Sequence, residues 1–215
     1  MNLTLRYMRL ADIPQVVAID KVSFDPPWSA RSYAYEVTES TYSHMVVLEM
    51  STNHSTRDSR WRQLLRGFTR TQMDAGSLIV GYGGLWNIVD EAHISTIATH
   101  PDYRGRGWGE ILLLGMLKKS CLLKAGYVVL EVRVSNTTAQ NLYRKHYFVE
   151  YGVKARYYQN NGEDAYDMRL DLRQDGAHER IDSTFGKALA KYQLSDDYTE
   201  APPPRIADAF EAAGQ

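Results

Sequence analysis

Residues 101–109 read Pro101-Asp102-Tyr103-Arg104-Gly105-Arg106-Gly107-Trp108-Gly109, and this stretch decides the fold. It follows the strand-like run His93–Thr99 and opens the long apolar run Gly107–Ala125, so it reads as a strand-to-helix turn. A helix start leaves backbone N–H groups without partners, and the helix dipole favours an anion there. Glycine lets the backbone approach a phosphate, while Arg104 and Arg106 add positive charge. The turn lacks the Gly-Lys-Ser/Thr ending of a Walker loop and the G-x-G-x-x-G spacing of a dinucleotide fingerprint. On these residues alone, an anion cradle and an ordinary glycine-rich turn both stand.

Upstream, Leu3–Met8 alternates as a strand, Asp12-Ile13-Pro14 starts a helix that Pro26-Pro27 stops, and Ser29 caps a second helix over 30–39. Met45–Leu48 and Leu78–Trp86 read as strands, with Gly81, Gly83 and Gly84 marking a bulge or a close backbone approach. Between them, residues 50–76 carry Arg57, Arg60, Arg62, Arg66 and Arg70 against Asp58 and Asp74, the signature of a polar surface insertion. Its arginines read as a solvated face, and direct nucleic-acid binding is not expected.

Downstream, the motif helix is expected to end at Gly126, used as a left-handed cap. Val128–Val132 has the continuous β-branched pattern of a central strand, and Asn136 caps a helix to Lys145. Phe148–Val153 and Ala165–Leu172 form a hairpin around Asn161-Gly162. Residues 173–215, with eight acidic and five basic side chains and Pro202-Pro203-Pro204, read as a flexible, dispensable tail with one transient helix near Phe185–Leu194.

The chain of 215 residues has 44% hydrophobic residues and 25 Lys and Arg against 26 Asp and Glu. That composition excludes wholesale disorder and offers no positive field for nucleic acid or anionic lipid. Cys121 alone cannot build an internal disulfide framework and fits a reducing compartment. No run approaches the roughly 18 apolar residues of a membrane span, and the N-terminal stretch has no secretory apolar core. A soluble cytoplasmic protein with no membrane partner is the expectation.

Arg104-x-x-Gly107-x-Gly109 resembles the acyl-CoA pyrophosphate loop of the GNAT superfamily of N-acetyltransferases. The element order (strand, two helices, three strands, motif helix, strand, helix, hairpin) is similar to that superfamily over residues 3–172. Further pieces resemble its RimI-type ribosomal-protein-alanine N-acetyltransferases: Phe24 with Pro27-Trp28-Ser29, Ile97-Ala98 with Pro101-Asp102, Leu130-Glu131-Val132-Arg133, Ser135-Asn136, Asn141-Leu142-Tyr143, Arg156-Tyr157-Tyr158 and Glu163-Asp164-Ala165. The resemblance implies an α/β fold with a twisted mixed sheet flanked by helices and splayed at the cofactor site. It implies one domain over 1–172, the 50–76 insertion and the 173–215 tail lying outside the resemblance.

The same resemblance implies acetyl-CoA as cosubstrate and no metal. It assigns the cofactor to Ile97, Ala98, Thr99, Arg104, Gly105, Arg106, Gly107, Trp108, Gly109, Glu110 and Asn136. It makes Glu131 the general base, where an arginine-paired sheet-edge carboxylate is the competing reading with Arg133 as partner. It makes Tyr143 the general acid, and Trp28, Tyr157 and Tyr158 substrate contacts. The implied substrate is a protein N-terminus, Ala of a small-subunit ribosomal protein in particular. An acetyltransferase for a small amine or other N-termini, and a non-catalytic acyl-CoA-binding module, are the alternatives.

Two positions depart from the pattern. Tyr147 replaces a glycine after the Tyr143 helix, so a changed helix exit is expected. Thr99 replaces an apolar β-branched residue, with a modest effect. His93, His100 and His146 show no metal spacing and read as surface or packing residues. An α-amine with a pKa near 7.8 is roughly 10% neutral at pH 7, far more than a lysine near 10.4, which favours an N-terminal substrate.

Overall fold

The computed structural model describes residues 2–51 and 77–204. Alternating apolar residues build β1 (Asn2–Tyr7), and Pro14 lies in the first turn of α1 (Ile13–Lys21). The Ser29 hydroxyl accepts from the Ser32 N–H at 3.0 Å to cap α2 (Ala30–Thr38). Strands β2 (Ser43–Ser51), β3 (Ser77–Ile88) and β4 (Glu91–Thr99) follow, then α3 (Trp108–Leu122), β5 (Tyr127–Arg133) and α4 (Thr137–Lys145). The hairpin β6 (Val149–Tyr158) and β7 (Glu163–Asp171) precedes α5 (Ala177–Tyr192) and β8 (Leu194–Asp197). Of the proposed insertion, Met50 and Ser51 complete β2, and residues 52–76 lie outside the described residues.

One eight-stranded sheet runs in the order β6-β7-β5-β4-β3-β2-β1-β8. It is antiparallel except for β4 beside β5 and β1 beside β8. On one face α3 buries Ile111 through Leu114, Met116 and Leu117 in a cluster that also takes Tyr143, Ile181 and Phe185. On the other, Ile13, Val16, Ile19 and Tyr33 pack on Met45, Val47, Ile79 and Tyr82. Because α3 is wrapped by sheet, α4 and α5, its apolar residues run almost all round. At Gly81 α3 lies close on the sheet: an added Cβ would lie 2.9 Å from Leu112 Cδ1. The expected bulge is present as a register shift between Gly84 and Leu85.

Three expectations need correction. The region from 173 is not simply a tail, because residues 177–199 fold onto the body of the protein. The polar surface of α5 hides an i, i+4, i+8 stripe of Ile181, Phe185 and Leu189, and β8 is too short to show in composition. Leu194 pairs with Leu3 and Asp197 with Arg6, and Tyr198 is fully buried. Residues 205–215 of the proposed tail lie outside the described residues.

The second correction is the end of α3, which comes at Leu122 with Lys124 as the left-handed residue (φ 61°). Gly126 instead donates its N–H to Asp90 O at 2.6 Å. The third concerns Tyr147, which takes a left-handed φ of 66° itself, so α4 keeps the exit that a glycine would give.

Candidate active site

Strands β4 and β5 share only three register pairs, Glu91↔Tyr127, Ala92↔Val128 and His93↔Val129. Beyond them β4 continues to Thr99 against β3, and β5 continues to Arg133 against β7. The sheet therefore forks after His93. Ile97, Ala98 and Thr99 keep a strand edge with no described partner on the β5 side, the arrangement that accepts an added extended chain.

The glycine-rich turn stands at the end of this edge. Gly105 and Gly107 adopt left-handed backbone (φ 75° and 82°), and Gly107 is the N-cap of α3 with no side-chain cap. An added Cβ at Gly107 would meet Tyr192 Oη at 2.3 Å, so only glycine fits. Arg104 donates to Thr99 O and Ser23 Oγ, each at 3.3 Å. Arg106 lies over the Tyr103 and Trp108 rings at 5.1 and 5.4 Å. A helix start without a side-chain cap, in a turn that carries Arg104 and Arg106, has the features that suit an anion.

Glu110, of the expected cofactor set, is engaged within the protein. Its carboxylate meets Lys145 Nζ at 2.7 Å and His146 Nε2 at 2.9 Å, and its N–H donates to Gly107 O. Asn136 Oδ1 accepts from the Ala139 N–H at 3.1 Å, the expected cap of α4.

Glu131, on β5 past the fork, is one-tenth exposed. It bonds His93 Nε2 at 2.8 Å through Oε2 and Lys154 through Oε1. Burial alone would raise its pKa, but the hydrogen bonds from His93 and Lys154 outweigh it and bring the carboxyl down to about 2. Arg133, the partner considered for Glu131, turns elsewhere: it bonds Glu163 at 3.0 Å, Asn160 and Asn161, and lies 3.7 Å over the Tyr158 ring.

Tyr143 is buried on α4 against Phe148 (centroids 5.8 Å apart), and its hydroxyl has no hydrogen-bond partner among the described residues. Burial, then the neighbouring Tyr158, push its pKa well above that of a free phenol, so it holds its proton at neutral pH. Tyr157 and Tyr158 meet edge to face at 5.2 Å, and the Glu131 charge acts on both. Trp28 is fixed by its N–H to the buried Asp20 (2.6 Å) and stacks at 6.2 Å on Trp86, whose ring meets His93 edge-on. A cleft of about 490 Å³ lies between Trp28, Tyr35 and Trp86. A second, of about 400 Å³, separates Ser23, Phe24 and Asp25 from Arg133, Asn160 and Asn161.

Residues 31–148 match the model of the acetyltransferase (GNAT) family. The chain belongs to the GNAT acetyltransferase family. It is 34% identical over 170 residues to a candidate [ribosomal protein bS18]-alanine N-acetyltransferase of Bacillus subtilis, covering 79% of this chain and 96% of that protein. It is 27% identical over 173 residues to the Escherichia coli [ribosomal protein bS18]-alanine N-acetyltransferase, covering 79% and 97%. The crystal structure of the Escherichia coli ribosomal-protein-S18-alanine N-acetyltransferase shares this GNAT fold with a TM-score of 0.60 at 24% identity, over 81% of this chain and 96% of that one.

The structure thus joins Glu131 to two residues that sequence reasoning missed, His93 and Lys154, while Tyr143 neighbours Tyr158, on which the Glu131 charge acts. His93 is 38 positions from Glu131, and only the parallel β4–β5 register brings them together. Lys154 reaches Glu131 from β6 across β7, and no local motif marks it.

Proposed function

We propose that the protein transfers the acetyl group of acetyl-CoA to the N-terminal α-amine of a protein, with Ala as the first residue and a small-subunit ribosomal protein as substrate. The observation that carries this reading is the fork itself. Past the last β4–β5 pair, Ile97–Thr99 keep an edge free of β5, and the uncapped Gly107 turn follows that edge in the chain. The low-pKa Glu131 lies on β5 beyond the fork, which supports this reading.

Acetyl-CoA brings an activated acetyl thioester. The N–H groups of the turn at 104–109 hold its pyrophosphate, with Arg104 and Arg106 at the rim, and Asn136 contacts the pantetheine arm. The edge of Ile97–Thr99 pairs with that arm like an added strand, and one N–H there polarises the acetyl carbonyl. Trp28, Tyr157 and Tyr158 line the approach of the peptide. The Glu131 cluster attracts the α-amine and takes up its proton, and Tyr143 gives its proton to the leaving thiolate. The transfer is direct, within one ternary complex, and a ribosomal substrate makes the protein cytoplasmic.

A panel of peptides differing in their first residue, incubated with purified protein and acetyl-CoA and read by mass spectrometry, tests this reading. Acetylation confined to the α-amine with Ala preferred is expected. Turnover of small amines alone overturns the substrate class, and acetyl-CoA binding without thiol release leaves only a binding module.

A further inference from the structure

We infer that His93, held by Glu131, is the group that receives the proton of the incoming amine. This rests on the acetyltransferase reading above and sharpens it. His93 is the last β4 residue paired with β5, so its ring lies where the strands part. A carboxylate only accepts, so Nε2 carries the hydrogen shared with Glu131 Oε2 and Nδ1 keeps a free lone pair. Glu131 Oε1 is occupied by Lys154, which fixes the carboxylate from the far side. Nucleophile-activating His–carboxylate pairs work through this division of labour, one group accepting and the other orienting.

The charged and titratable groups around the ring come from every neighbouring element. They are Glu131 from β5, Lys154 and Tyr157 from β6, Asp167 from β7 at 3.5 Å from Lys154, and Glu36 of α2, which binds Trp86 Nε1. Proton affinity tells against the carboxylate as the acceptor. A carboxyl brought down to about 2 lies far below an α-ammonium near 7.8 and is a poor acceptor of its proton.

In the step, His93 Nδ1 takes one proton from the incoming α-ammonium and passes it to solvent. The neutral amine nitrogen then bonds the thioester carbonyl carbon as the C–S bond breaks. The proton lost by the amine goes to His93 Nδ1. Tyr143 gives its hydroxyl proton to the thiolate and recovers one from the His93 imidazolium through solvent. The products are the N-acetyl peptide and free thiol.

The experiment compares the parent with His93→Gln, which keeps a donor to Glu131 but accepts no proton near neutrality. Rates with an N-terminal Ala peptide are measured from pH 6 to 9.5, beside melting temperature and acetyl-CoA affinity. A loss on the order of 10²-fold at pH 7 is expected, shrinking as pH rises and the amine arrives neutral, with folding and affinity unchanged. A mutant-to-parent ratio constant with pH, or a loss of less than threefold, overturns the inference. In the resting protein, ¹⁵N shifts at pH 8 should show hydrogen on Nε2. Hydrogen on Nδ1 overturns the inference without reference to activity. Should the parent itself acetylate no peptide, the substrate reading fails first, and the tautomer measurement still judges His93.

Discussion

His93 Nε2 and Glu131 Oε2 stand 2.8 Å apart at the point where β4 and β5 separate. The pair ties the two strands at the apex of the fork, so the residue that closes the sheet also borders the opening. Removing either partner is therefore read in both chemistry and stability, and the two readouts can be separated by pH.

Acid unfolding should report the Glu131 cluster. The carboxyl titrates lower in the folded protein, about 2 against an ordinary 4.5, so its contribution is complete above pH 4.5 and is lost as pH falls toward 2. That contribution is about 1–3 kcal/mol after allowance for the half-exposed Lys154. Denaturant melts between pH 5 and pH 3 should show a shallower fall for Glu131→Gln than for the parent. Equal slopes would mean that the pair contributes nothing.

Tyr143→Phe should lower kcat on the order of 10²-fold while leaving acetyl-CoA affinity unchanged. The hydroxyl supports no other described group, so the melting temperature should hold or rise slightly. Near-normal turnover would remove Tyr143 from the acid role.

Gly107→Ala should weaken acetyl-CoA binding at least tenfold. The substitution strains a left-handed φ of 82° at about 1–2 kcal/mol and drives a methyl into Tyr192 Oη. Adding Tyr192→Ala should relieve the clash but not the backbone term, so calorimetric titration of the double variant should recover part of the affinity.

Ending the chain after Arg173 should give an unfolded or insoluble product. It strips Ile181, Phe185, Leu194 and Tyr198 from the core, at about 1.5–3 kcal/mol each, against a typical total of about 5–15. A truncated protein with the parent melting temperature would show that α5 and β8 are ornaments.

Tyr147→Gly should be more stable than Tyr147→Ala by about 1 kcal/mol. Both lose the ring under Arg180, so the difference isolates the left-handed backbone at φ 66°.

What was legible in the sequence was local. The glycine turn, the Ser29 and Asn136 caps and the β-branched run through Glu131 each declare themselves within a few residues, and all appear where expected. What was hidden depended on register or on mixed surfaces. His93 acquires its meaning from a parallel pairing with Val129, and α5 buries a narrow stripe inside a polar helix. Tyr147 misled in the other direction: its residue type argues against a left-handed turn, and the packing of α4 imposes one regardless.

Lys119 interrupts the apolar run of α3 yet is buried, its ammonium donating to Thr199 O at 3.1 Å and Ala201 O at 2.7 Å beneath the Tyr7 and Tyr198 rings. Its partners on the far side of β8 emerge from the ribosome long after α3 itself. During synthesis the helix that opens with the anion turn therefore carries an unsatisfied cation on a face awaiting cover, and β1 has no neighbour on its outer edge. Completion of the sheet edge and of the Lys119 site thus waits for late-arriving chain, and a chain stalled before residue 199 would lack the carbonyls that hold the Lys119 ammonium.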